Sequence, residues 1–296
     1  MRFYMAQLFI QRHYDTFRGN NPHVDNNHVR HEREMVRDQF LWLEGPLTQY
    51  ISQRGWDLHR HHQTAHLTSS THFVWINNYT GEVSDDEGVV GEWTPIVKEI
   101  SALWLHYGKS KDQLNLYKNL SQDYYQFKRK DDSDYYNAFY IHCRIQFFLN
   151  AEHFGAGVLF TKNDRFDKWE FKLRLLRDKT FPPKVKQALK PLLGKGFYFY
   201  SNEEEIQLTN QVNLDDVMDA LRLDDPRVYS GISRIYVPDD QRISVENIVQ
   251  EMQGNLDLLF PLYDLMATRQ NMKLDQVQQP SDISRLAHAW GGRLRK

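Results

Sequence analysis

The sequence predicts an α+β protein: an antiparallel meander sheet with flanking helices, preceded by a helical and hairpin N-terminal region. Apolar residues recur at helical spacing in three stretches, beginning near residues 29, 110 and 244. From Tyr135 the period shifts toward two, and the joints between the resulting strands are short and polar, which suits an antiparallel meander. With 41% hydrophobic and 14% aromatic residues, a chain of 296 residues closes a substantial core.

In chain order, residues 29–54 read as a helix broken at Gly45-Pro46, with Val29, Met35, Val36, Phe40 and Leu43 on one face. "THFVWINNYTGEV" sets β-formers before an Asn-rich turn and reads as a hairpin or strand end at residues 77–81. The acidic, Gly-containing residues 81–92 read as a loop or soft boundary. "WTPIVKEISALWLHYG" reads as a helix, with Pro95 in the first turn and Gly108 as its stop. Another helix starts near Ser110, with Leu114, Tyr117, Leu120 or Ser121, and Tyr124 as its stripe.

"YNAFYIHCRIQFFLN", "HFGAGVLFT" and "KWEFKLRLL" read as three strands. Pro182-Pro183 opens a short helix through Leu192, "GFYFY" is a strand, and "NLDDVMDALRL" is a helix capped by Asn213. "GISRIYV" is a further strand. Ser244 caps a long helix carrying Val245, Ile248, Val249, Met252, Leu256 and Leu259, which Pro261 kinks or restarts. The expected organisation is residues 1–108 as the helical and hairpin region, 109–268 as the sheet domain, and 269–296 as a polar, flexible tail.

The lone Cys143 excludes an intramolecular disulfide framework and Cys-based zinc ribbons, and it fits a reducing compartment, so a cytoplasmic protein is expected. Gln7, Gln11, Arg12 and His13 interrupt the apolar start before a signal-peptide core develops, and no stretch is long enough to span a bilayer, so no membrane partner is expected.

A formal charge of −2 gives no global pull toward nucleic acid, but the charge is polarised along the chain. Residues 162–195 carry eleven Lys or Arg against four acids, net +7, and residues 201–225 carry eight acids against Arg222, net −7. Lys172, Lys179, Lys184, Lys186, Lys190 and Lys195 are the candidate contacts to a nucleic-acid backbone, with Tyr124, Tyr125 or Tyr198 available for base stacking. The competing readings are that the basic face meets an acidic protein partner, or that the two blocks neutralise each other within the fold.

Two chemical alternatives compete with binding. The element order α, β, β, β, α, β over residues 111–200 resembles the core order of restriction-endonuclease-like phosphodiesterases. That resemblance implies a divalent Mg or Mn ion held between an earlier acid and a Glu-x-Lys, here Glu170 and Lys172. Hairpin geometry opposes it: with the turn at residues 162–165, Glu170 lies opposite Leu159, and Glu152 falls on the order of 20 Å away. The other alternative is a histidine metal site. Nine of thirteen histidines lie in the first quarter; His28 and His31 have helical spacing, and His59 or His61 would complete a zinc or manganese site. Gly108-Lys109-Ser110 lacks the first glycine and the preceding strand of a phosphate-binding loop. The sequence therefore favours non-enzymatic binding of a nucleic-acid backbone or an acidic partner subunit, with no cofactor and no catalytic residue.

Overall fold

Residues 144–160 form the centre of the molecule. In a computed structural model, which describes residues 6–17, 27–60, 68–70, 73–77, 83–84, 93–97, 100–110, 113, 142–160, 165–201, 205–223 and 229–267, strands β7 (Arg144–Asn150) and β8 (Phe154–Phe160) pair antiparallel. Asn150 makes their turn tight: its Oδ1 accepts from the backbone N–H of Glu152 and of His153, both at 2.9 Å, an Asx-type closure.

The remaining strands are β1 (His59–Arg60), β2 (Thr68–Ser70), β3 (Phe73–Asn77), β4 (Val83–Ser84), β5 (Trp93–Val97), β6 (Ile100–Gly108), β9 (Phe197–Tyr200), β10 (Glu205–Gln207) and β11 (Ser230–Tyr236). The main sheet runs β1-β6-β7-β8-β11-β9-β10, with β2 also on β6, and every pairing is antiparallel. β6, β7 and β8 form a meander, and β11 is inserted between β8 and β9. β3, β4 and β5 make a small separate sheet in which β3 and β4 form the expected hairpin.

The helices are α1 (Gln11–Asp15), α2 (Asn27–Gln53), α3 (Arg165–Arg177), α4 (Phe181–Leu189), α5 (Leu214–Leu223) and α6 (Ile248–Met266). One sheet face is apolar because alternate residues of each strand are: Leu103, Leu105 and Tyr107 on β6, Ile145, Phe147 and Leu149 on β7, Phe154, Ala156, Val158 and Phe160 on β8. Onto it close Val36, Phe40, Leu43, Leu47 and Ile51 of α2 and Ile248, Met252, Leu256, Leu259, Leu262 and Met266 of α6, forming one core cluster. Phe9, Phe40 and Phe154 stack within it, with Phe9 and Phe154 centroids 5.1 Å apart. The fold is α+β, an antiparallel sheet with flanking helices.

Several expected elements differ. Residues 168–176, expected as the third strand, lie in helix α3: the buried positions Asp167, Lys168, Phe171, Lys172 and Leu175 recur at three and four, and Lys, Arg, Glu and Leu are strong helix formers. The apparent alternation of Trp169, Phe171 and Leu173 was a local accident of aromatic placement. Of residues 93–108, expected as a helix, 93–97 are β5 and 100–108 are β6. β6 is buried on both faces from Leu103 to Gly108, so no strand period shows in its sequence.

α2 passes through Gly45-Pro46 unbroken. Proline deletes one backbone hydrogen bond there, beside the exposed Leu41 and Trp42, while buried Leu43 and Leu47 anchor the chain on both sides. α6 starts at Ile248, after Asn247, rather than directly after Ser244; Ser244 contributes its carbonyl to the N–H groups of Asn247 and Ile248. Pro261 lies inside α6 without ending it. Asn213 does receive the N–H of Asp215 at 3.0 Å, as expected of a cap. Ser110 and Gln113 exchange side-chain and backbone hydrogen bonds as a helix-start box, while the stripe from Leu114 to Tyr124 and the tail from Arg269 lie outside the described residues. Among the described residues no helix is long and apolar enough to cross a membrane.

Candidate functional site

The described part of the basic block folds into α3, α4 and the turn before β9. Pro182 and Pro183 sit in the first turn of α4, where no intrahelical N–H is lost. Phe181, Val185, Ala188 and Leu189 face the core, which turns Lys184, Gln187 and Lys190 outward. Lys179 precedes this helix and Lys195 follows it, both exposed. The turn carrying Lys195 is set by Gly194 and Gly196 at φ 68° and 78°, a left-handed conformation that suits glycine.

Of the candidate backbone contacts, Lys179, Lys184, Lys190 and Lys195 are therefore on the surface. Lys186 is half-buried and ion-paired with Asp215 at the start of α5; among the described residues this is the ion pair that joins the basic and acidic blocks. Lys172 is buried and not positioned to meet an external phosphate.

Glu170 and Lys172 lie two residues apart on a helix, so they project about 200° apart around its axis rather than onto one face. Burial pushes the Glu170 carboxyl up, against the pull of Arg174 and Arg177, and nearby Asp167 adds to the rise. Asp167 is itself turned away: its Oδ2 is paired with Lys109 Nζ and accepts from the Cys143 N–H at 2.8 Å. Glu152 is in the β7–β8 turn, at the opposite end of β8 from α3. The strand geometry on which a Glu-x-Lys metal site depends is absent from this helix.

Among the histidine candidates, His31 is exposed and His59 Nε2 lies 2.8 Å from Asp57 Oδ1, also exposed. The side chain of His28 and all of His61 lie outside the described residues. Among the described residues no group of three or more His, Cys, Asp or Glu is placed to hold a metal ion.

The other face of the main sheet carries a polar central row between mixed rows, and sequence reasoning missed it. Strand register aligns His106, Gln146, Gly157, Ser233, Tyr198 and Gln207 across β6, β7, β8, β11, β9 and β10. One row toward the end of the sheet lie Arg144, Leu159, Gly231 and Tyr200; one row the other way lie Trp104, Phe148, Gly155 and Ile235. Trp104, His106, Arg144, Gln146 and Ser233 are all at least nine-tenths buried.

The arrangement is built by close approach. A Cβ on Gly155 would lie 2.3 Å from Phe148 Cζ, so glycine lets that ring lie across β8. The Arg144 guanidinium is 5.8 Å from the Trp104 ring centroid, and the rings of His106 and His142 are 6.3 Å apart. Burial holds the Tyr200 phenol well above its usual range, reinforced by Tyr229 and opposed by Ser233 and Arg144.

No protein-family model and no curated protein matches this chain.

Proposed function

We propose that this is a cytoplasmic, non-enzymatic binding protein that grips a nucleic-acid backbone through Lys179, Lys184, Lys190 and Lys195. The observation that carries the reading is their common exposure along α3's end, α4 and the following turn, while the remaining lysine of that surface, Lys186, is engaged by Asp215. Exposed ammonium groups pair with phosphate oxygens, and each neutralised phosphate releases a condensed counterion. An acidic protein surface would meet the same charges and is the competing ligand. Cys143, buried and the chain's single cysteine, fits a reducing compartment.

The test is binding of a labelled mixed-sequence oligonucleotide. Lys184→Ala/Lys190→Ala/Lys195→Ala should lose affinity at low salt, whereas Lys186→Ala should change it little. Equal loss in both proteins, or none in either, would remove the assignment.

A further inference from the structure

Trp104 and Gln146 are diagonal neighbours on the polar sheet face, each 5% exposed. Neither Trp104 Nε1 nor Gln146 Oε1 finds a hydrogen-bond partner among the described residues. A buried donor and a buried acceptor left open on one face are unfavourable in a folded chain, and one ligand that offers both partners would satisfy the two together. That ligand must offer an acceptor to the indole N–H and a donor to the amide oxygen. The surroundings narrow it further: Phe148 lies in the same cross-strand row as Trp104, and the Arg144 guanidinium is stacked near the indole. Aromatic faces and a guanidinium plane favour a flat π-system whose edge carries both a donor and an acceptor.

We propose that Trp104 and Gln146 bind the edge of a planar nitrogen heterocycle of the nucleobase class, on the face of the sheet opposite α2 and α6. The ligand is either a free base or nucleotide, or a base presented by a single strand; the hydrogen-bonding chemistry is the same. Because α4 belongs to the opposite, helix-covered side, this site is separate from the lysine flank and does not depend on the reading of that flank.

The experiment is isothermal titration of the full chain with adenine, guanine, cytosine and uracil, with the four nucleoside monophosphates, and with a single-stranded oligonucleotide. Saturable binding of one base is expected, weakened roughly tenfold or more in Gln146→Leu, which nearly keeps the side chain's shape, and in Trp104→Phe, which keeps an aromatic ring; each removes its open group. Lys184→Ala/Lys190→Ala/Lys195→Ala should leave binding of the free base unchanged, so failure at one site is distinguishable from failure at the other. Binding of mononucleotides identifies a free ligand; binding of the oligonucleotide alone, with the same sensitivity to both pocket variants, identifies a strand base. Should either variant misfold, hydrogen exchange in the parent decides: added ligand should slow exchange in β6 and β7. No binding of any probe, or binding with no protection of β6 and β7, would overturn the proposal and leave a bridging water as the partner of both groups.

Discussion

Asp167, in the first turn of α3, is ion-paired with Lys109, just beyond the end of β6, and both side chains are almost wholly buried. The same carboxylate oxygen accepts the Cys143 N–H at 2.8 Å, so one acid ties the start of α3 to the adjoining ends of β6 and β7. The carboxylate also lies at a helix N-terminus, where the macrodipole favours negative charge.

Removing that carboxylate should be severe. Asp167→Ala leaves Lys109 buried without this partner and the Cys143 N–H unanswered, and should lower stability by about 3 to 5 kcal/mol in urea denaturation. Asp167→Leu combined with Lys109→Met should recover most of that loss, because the buried charge goes with its partner. A loss under about 1 kcal/mol for Asp167→Ala would mean that the pair is not buried in solution.

Adjacent leucines test whether residues 165–177 are a helix. Phe171 packs edgewise on Phe181 and at 5.6 Å from Phe160, so Phe171→Ala should lose about 3 to 5 kcal/mol through lost burial and a cavity. Leu175→Ala should lose about 2 to 5 kcal/mol, whereas Leu176→Ala, at a position 48% exposed, should stay within about 0.5 kcal/mol. Comparable losses at Leu175 and Leu176 would not fit this helix face.

These elements show what the sequence made legible. β7, β8, β9 and β11 were readable because β-branched and aromatic residues cluster between short turns, and α5 because Asn213 announces its start. α3 was not, since Trp169, Phe171 and Leu173 mimic a strand while the decisive contact, Asp167 to Lys109 and Cys143, joins residues far apart in sequence. β6 hid because it is buried on both faces. Lys179, Lys184, Lys190 and Lys195 were legible as a charge block, but the burial of Lys172 and the engagement of Lys186 depend on helix phase and on α5. The polar face was invisible for a different reason: Trp104, Gln146 and Ser233 come from three strands whose register no local pattern encodes.

Acid should loosen the N-terminal segment. His13 is buried, its Nδ1 accepts the Ile10 N–H at 3.2 Å, and its Nε2 faces Glu32 Oε2 at 3.5 Å. Burial lowers its pKa below the ordinary 6.5, partly offset by Glu32 and aided by Arg12. A histidine depressed in the folded state contributes stability that is fully present above pH 6.5 and is lost as pH falls through the folded value. His153, also lowered chiefly by burial, adds to the same loss. Thermal unfolding should therefore shift downward between pH 7.5 and 5, and His13→Gln, which keeps an acceptor without a titrating ring, should flatten part of that slope. An unchanged slope in His13→Gln would place the acid sensitivity elsewhere.

The salt dependence of oligonucleotide binding tests the lysine flank most directly. If Lys179, Lys184, Lys190 and Lys195 each neutralise one phosphate of a single strand, log affinity against log salt should fall with a slope of about −2.8. Lys184→Ala/Lys190→Ala/Lys195→Ala should bring that slope to about −0.7 as well as weaken binding. An unchanged slope in the triple variant, or no binding by the parent at low salt, would contradict the assignment of these lysines to a nucleic-acid backbone.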